Sequence, residues 1–197
     1  AFYGGYATMA IPAALFINKF SYKKGILLGL SLYALGALLF WPAAQYQIFS
    51  FFLISLYILT FGLAFLETTA NPFILSLGAK ETATQRLNLA QSFNPLGSLL
   101  GMFIASKFIL AALVSDKQRN EAGELIFSSL DEATKASIRT NDLIIIRDPY
   151  VALGLIVLIM LIAIAVIKIP SSTKKKIINP IASIKRLVKN RNYREGV

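Results

Sequence analysis

Long apolar stretches separated by short charged segments form the basic pattern of this chain. Five long stretches are uncharged apart from Glu67 in the third: Ala1 to Asn18, Gly25 to Ala44, Ile48 to Gly78, Leu87 to Ser106 (continuing past Lys107 to Val114) and Val151 to Ile167. Each is close to the ~20 apolar residues that a membrane-spanning helix needs. The pattern therefore predicts an all-α, polytopic membrane helix bundle.

The connections between these stretches are short, with one exception. Residues 115–148 are polar and of mixed charge, which predicts a long loop outside the membrane; within it, Leu125 to Ile138 has the periodicity of a short amphipathic helix. The chain begins at Ala1 inside an apolar stretch, which we interpret as the start of a piece rather than a signal peptide. We expect residues 1–169 to form one membrane domain with five helices, followed by a basic linker over residues 170–197.

Lys and Arg are distributed unequally between the two sides of the predicted bundle. If the turn at Phe20 to Lys24 is cytoplasmic, fourteen of the twenty basic residues fall on that side. The other side has a loop around Gln45 to Gln47 without charge, and the long loop, which holds five basic and seven acidic residues. Short loops rich in Lys and Arg are typical of the cytoplasmic side. The distribution predicts an integral membrane protein with its linker in the cytoplasm.

Composition excludes several functional classes. The chain is 56% hydrophobic and only 15% charged, which is too apolar for a soluble domain of 197 residues. It has no Cys and no His, so a thiolate or histidine zinc site and a His-based catalytic triad are excluded within it. The net charge of +10 is explained by the cytoplasmic basic residues, and the basic tail lacks the aromatic platform of a nucleic-acid site. We expect no cofactor and no nucleic acid.

Glu67 is the only Asp, Glu, Lys or Arg between Lys24 and Lys80. Counted from Gly78 at ~1.5 Å per residue, it lies roughly 16 Å deep, near the midplane of a ~30 Å hydrocarbon core. A charge at that depth costs at least ~2.5 kcal/mol, so such residues usually face a cavity and handle protons, ions or substrate. Glu67 therefore points to transport.

Polar groups surround Glu67 along its helix. Asn71 lies four residues on and shares its face, and Pro72 cannot donate a hydrogen bond to the carbonyl of Thr68. A carboxyl, an amide and a released carbonyl in one turn suit a ligand rich in hydroxyl groups. The alternative is a polar contact between helices, with Glu67 satisfied by a neighbour.

The next apolar stretch carries a second polar face. Asn88, Gln91 and Asn94 are spaced by three, and amides in lipid need partners in protein or water. We interpret Gln91 and Asn94 as cavity residues, with interhelical hydrogen bonding as the alternative. The glycine pairs Gly25/Gly29 and Gly97/Gly101 predict close helix packing only.

Two paired motifs resemble a known family. They read FLETTANPF (Phe65 to Phe73) and RLNLAQSFNPLG (Arg86 to Gly97), and the segment from Tyr6 to Ala44 and the DPY at Asp148 to Tyr150 agree with them. They resemble the fucose–galactose–glucose:proton symporter family of the major facilitator superfamily, with SFNPLG most similar to its glucose/galactose branch. The resemblance covers nearly the whole chain, as helices two to six of twelve plus the linker between the halves.

The resemblance implies a proton-coupled sugar transporter of the bacterial inner membrane that works by alternating access. It implies that Glu67 handles the proton and, with Asn71, Gln91 and Asn94, the monosaccharide. It also implies an acidic partner on a first helix and a second half of the same protein, neither of which is in this sequence. Asn18 stands where the superfamily usually has an acidic residue before the basic loop, which puts an acid–base latch there in doubt.

Other functions stay open on the sequence alone. The coupling ion can be sodium, and the substrate can be another small solute. A membrane-embedded enzyme would use Glu67 as its acid or base but would need a second catalytic group at similar depth. In a non-transporting subunit the polar faces would be structural.

Overall fold

The computed structural model describes residues 2–119, 126–168 and 189. Six α-helices run through these residues: α1 Phe2–Lys19, α2 Tyr22–Leu38, α3 Phe40–Tyr46, α4 Phe49–Ser76, α5 Ala83–Ile104 and α6 Glu132–Val166. A π-helical turn, Ala105–Leu110, continues α5, and short 3₁₀ turns lie at Lys80–Thr82, Ser115–Lys117 and Phe127–Ser129. The linker predicted over 170–197 lies outside the described residues, apart from 189.

Each of the five apolar stretches contains helix. Four helical segments are long and apolar enough to cross a membrane: Tyr22–Tyr46, Phe49–Ser76, Lys80–Leu110 and Glu132–Val166. The first of these joins α2 and α3, between which Ala43 N–H still donates to Leu39 at 3.1 Å. The stretch from Ala1 to Asn18 corresponds to the 18-residue α1. The all-α membrane helix bundle is confirmed.

Two glycines allow α2 and α4 to cross with their backbones in contact. A Cβ on Gly36 would lie 2.7 Å from Leu59 Cα, and a Cβ on Gly62 would meet the backbone of Tyr33 and lie 2.7 Å from Gly29 O. Such distances require displacement of main-chain atoms, so only glycine fits. The predicted pair Gly25/Gly29 contacts α4 as expected, at Thr69 and Leu66. Gly97 and Gly101 differ, since nothing in the described part of the chain lies within 4 Å of a Cβ there.

Two hydrogen-bonded contacts join helices at opposite ends of the bundle. At one end, Lys23 Nζ donates to Ala165 O at 2.7 Å and to Ile167 O at 2.6 Å, which joins the start of α2 to the last turn of α6. A cation is stabilised there because the terminal carbonyls of a helix are partially negative. At the other end, Gln47 Nε2 donates to Thr140 Oγ1 at 2.9 Å. The loops that the charge pattern assigned to opposite sides are thus at opposite ends.

Helix α6 begins at Glu132, far earlier than the start of its apolar stretch at Val151. The loop expected over 115–148 is correspondingly shorter, because its second half is helical. The helix start is fixed by Asp131, whose carboxylate accepts a hydrogen bond from Thr134 N–H at 3.0 Å. Hydrogen bonds from the Thr134 side chain and, to a smaller extent, from its backbone N–H lower the pKa of Asp131. Hydropathy predicts which residues lie in the membrane, but it does not predict where a helix begins when a capping residue determines its start.

The polar half of α6 also holds the end of α5. Asp142 accepts hydrogen bonds from Val114 N–H at 2.7 Å and Ser115 N–H at 3.2 Å. These amides follow the π-helical turn and have no helical acceptor of their own. The extension of α6 therefore fixes the far end of α5, while the middle of α5 lies beside α4.

Candidate functional site

One face of α4 and one face of α5 form the two walls of a cavity of about 860 Å³. Its lining comprises Leu63, Leu66, Glu67, Ala70, Asn71 and Ile74 from α4, and Ala90, Gln91, Asn94, Pro95 and Ser98 from α5. Both sets recur every three or four residues, which is the repeat of one helix face. The structure therefore brings together all four residues that the sequence singled out: Glu67, Asn71, Gln91 and Asn94.

The cavity is open along α5. No residue of α5 is buried by the described part of the chain, and the side chains of Gln91, Asn94 and Ser98 are exposed. Asn71, on α4, is half-buried. The two helices thus form one side of the cavity, and its opposite side is open within the described residues.

The polar side chains of the cavity are not bonded to one another. Within the described residues, the carboxylate of Glu67 and the amides of Asn71, Gln91 and Asn94 have no hydrogen-bond partner. Glu67, Gln91 and Asn94 are exposed and Asn71 is half-buried, so these groups face the open side of the cavity. There their donors and acceptors can bond water, a ligand or another part of the protein.

The chemistry of the lining is simple. Glu67 is its only ionisable side chain, and no basic residue lines the cavity. Three amides supply both N–H donors and carbonyl acceptors, and aliphatic side chains form the rest of the wall. Among the described residues no group of three His, Cys, Asp or Glu side chains could hold a metal ion. The arrangement fits a neutral, hydroxyl-bearing ligand beside one acidic group.

Ser98 belongs to the cavity although the sequence analysis did not select it. Its hydroxyl donates to Asn94 O at 3.1 Å, which leaves the lone pairs of the hydroxyl oxygen free to accept. The signal was present in the sequence, because Ser98 lies four residues after Asn94 and therefore on the same face.

Two residues of the polar faces lie elsewhere. Asn88, although spaced by three from Gln91, does not line the cavity, and neither does Pro72. On α5 the lining begins at Ala90, so Asn88 lies before the cavity along the helix.

Comparison with known proteins agrees with this architecture. The sequence profile described as Major Facilitator Superfamily matches residues 1–193. The L-fucose-proton symporter of Haemophilus influenzae is 63% identical over 199 residues, covering 100% of this chain and 46% of the relative. The L-fucose-proton symporter of Escherichia coli is 35% identical, covering 100% and 45%. The glucose/galactose transporter of Brucella abortus is 38% identical, covering 66% and 31%.

Solved structures give the same result. The crystal structure of a variant of the E. coli fucose:proton symporter FucP superposes with a TM-score of 0.82 at 34% identity, covering 98% of this chain and 47% of that one. FucP in the outward conformation gives a TM-score of 0.80. The chain spans about half the length of these relatives. By its sequence and its helix arrangement, it belongs to the Major Facilitator Superfamily of transporters.

Proposed function

We propose that the protein takes up a hexose or deoxyhexose together with a proton, by alternating access. The observation that carries this proposal is the cavity, which gathers Glu67 and three amides with their hydrogen-bonding groups free. Each sugar hydroxyl both donates and accepts, and amides offer both functions within one side chain. A cavity of about 860 Å³ is also within the range of small-molecule sites.

Glu67 is the proposed proton carrier. It is the only group in the lining that can change its charge, so protonation makes this part of the site neutral. A neutral, sugar-loaded site can be closed off from water at lower cost than a charged one, because an ionised carboxylate must be desolvated. Coupling follows if the protein converts between its outward-open and inward-open states only with the proton and sugar both bound, or both absent.

L-fucose is the first sugar to test. The relative named L-fucose-proton symporter is 63% identical over the whole chain, whereas the relative named glucose/galactose transporter is 38% identical over 66% of it. The lining residues of this chain alone do not separate these sugars. We propose that the other half of the same protein closes the open side of the cavity and contributes to the choice.

An enzymatic function has little to support it. The cavity holds one titratable group, whereas acid–base chemistry usually needs a second group with a different role. The matched relatives are named as transporters.

The proposed function is tested by transport in proteoliposomes containing the full-length protein. An inward proton gradient should drive L-fucose above its external concentration, and a protonophore should abolish this accumulation. Galactose and glucose are assayed in parallel. Accumulation driven by a sodium gradient at uniform pH would show sodium coupling, and no accumulation of any of these sugars would overturn the proposal.

We also propose that the end of the bundle with Lys23 and the last turn of α6 faces the cytoplasm, as in a bacterial inner membrane. Single cysteines at Lys24 and Lys80 should then react with an impermeant thiol reagent only from the cytoplasmic side, and a cysteine at Ser129 only from outside. All three positions are exposed, and this chain has no native cysteine. Labelling of Lys80→Cys and Ser129→Cys from the same side would contradict this topology.

A further inference from the structure

Pro95 changes the hydrogen bonding of the α5 wall. In an α-helix the N–H of each residue donates to the carbonyl four residues earlier. Proline has no N–H, so the carbonyl of Gln91 loses its helical donor at Pro95, which is itself part of the cavity lining. A main-chain acceptor is thus released within the wall that carries Gln91 and Asn94.

The released carbonyl lies on the cavity face of the helix. A helical carbonyl points toward the C-terminus and ends close to the residues three and four positions on, which are here Asn94 and Pro95. Both of these residues line the cavity. The ring of Pro95 also displaces the carbonyl away from the helix axis, which makes it more accessible.

No side chain of the described residues satisfies this carbonyl. Ser98 Oγ donates to Asn94 O at 3.1 Å, and Ser92 Oγ donates to Leu89 O at 2.7 Å. The carbonyl of Gln91 lies between these two and has no such donor. A released carbonyl in a membrane helix needs a partner from protein, water or ligand, and a ligand in the adjoining cavity can supply one.

We propose that the main-chain carbonyl of Gln91, released by Pro95, accepts a hydrogen bond from one hydroxyl of the bound sugar. This assignment rests on the proposed sugar function of the cavity. Pro95 is then a positioning residue, and the contact is specific in a way that an amide side chain is not. A carbonyl only accepts, so it requires a hydroxyl that donates, whereas an amide can turn to offer either group.

The assignment is tested with monodeoxy and monofluoro analogues of L-fucose, by calorimetric binding to the purified full-length protein. A fluorine can accept but cannot donate, so one analogue should bind the wild type about five- to 150-fold more weakly than L-fucose. In Pro95→Ala, which restores the N–H, the affinity for L-fucose should fall by a similar factor. The affinity for the analogue modified at the critical hydroxyl should be nearly the same in Pro95→Ala as in the wild type, because that contact is already missing.

The control is Pro149→Ala on α6, the same substitution in a helix that does not line the cavity. It should leave the whole analogue series unchanged. Equal weakening of every analogue by Pro95→Ala would indicate a change of helix shape and would overturn the assignment, as would no weakening at all. If the wild type binds none of the three sugars, the proposed function itself fails.

A second set of variants gives an answer even if Pro95→Ala does not fold. Glu67→Ala, Asn71→Ala, Gln91→Ala, Asn94→Ala and Ser98→Ala each remove a polar side chain of the lining but keep every backbone carbonyl. The fluorine penalty at the critical hydroxyl should persist in all five variants, because its acceptor is main chain. If every fluorine penalty disappears in one or another of them, all hydroxyl contacts are with side chains and the assignment is wrong.

Discussion

Replacing Glu67 by glutamine should abolish proton-driven accumulation of sugar in the full-length protein while preserving sugar exchange. Glutamine is a permanently neutral stand-in of nearly the same size, so it resembles the protonated carboxyl. Exchange of internal for external sugar needs no deprotonation, whereas net uphill uptake needs the carboxyl to release its proton inside. The measurement is accumulation under a proton gradient beside counterflow of labelled sugar.

The expected size of this loss follows from the driving force. One charge moved through the membrane potential is worth ~2.3 kcal/mol per 100 mV, which corresponds to roughly fifty-fold accumulation. In Glu67→Gln the ratio of internal to external sugar should fall to about one. Glu81→Gln is the matched control, because Glu81 is exposed in the α4–α5 turn and does not line the cavity. That variant should accumulate sugar as the wild type does.

Removing the amides of α5 should weaken sugar binding. If the other half of the protein closes the cavity as proposed, the ligand in Gln91→Ala and Asn94→Ala loses a buried hydrogen bond, which costs ~1–3 kcal/mol, or about five- to 150-fold in affinity. The measurement is equilibrium binding of L-fucose to the purified full-length variants. Folding and membrane insertion should be unaffected, because neither amide bonds another described residue.

Asn88→Ala is the control for these two variants. It removes the same kind of side chain from the same helix, one turn away and outside the cavity. Binding to Asn88→Ala should equal that of the wild type. If all three variants bind L-fucose as tightly as the wild type, Gln91 and Asn94 are packing residues. If all three bind it more weakly by the same factor, the substitutions disturb α5 in general.

The four polar residues of the cavity could be predicted from the sequence because their selection depends only on spacing within a single helix. Glu67 stands alone in an apolar helix, and the helical repeat then selects Asn71 on one wall and Gln91 and Asn94 on the other. Ser98 follows from the same repeat. Which two helix faces meet depends on tertiary packing, and only the packing of α4 beside α5 shows that Asn88 does not line the cavity.

The parts of the fold that differ from the expectation depend on tertiary contacts. Four glycines were selected by their spacing, but the closest backbone contacts are at Gly36 and Gly62, where α2 crosses α4. The early start of α6 depends on the Asp131 cap and on Asp142, which binds the end of α5 from 27 and 28 residues away in sequence. A hydropathy pattern does not predict either of these contacts.

The most direct test of the account is the pH change of the medium when sugar is added to de-energised cells or vesicles that contain the full-length protein. Wild-type protein should make the external medium more alkaline on addition of L-fucose, because each sugar enters with a proton. Glu67→Gln should give no pH change while still catalysing counterflow at a measurable rate. Wild-type proton movement in the Glu67→Gln variant would contradict the role of Glu67 as the coupling residue.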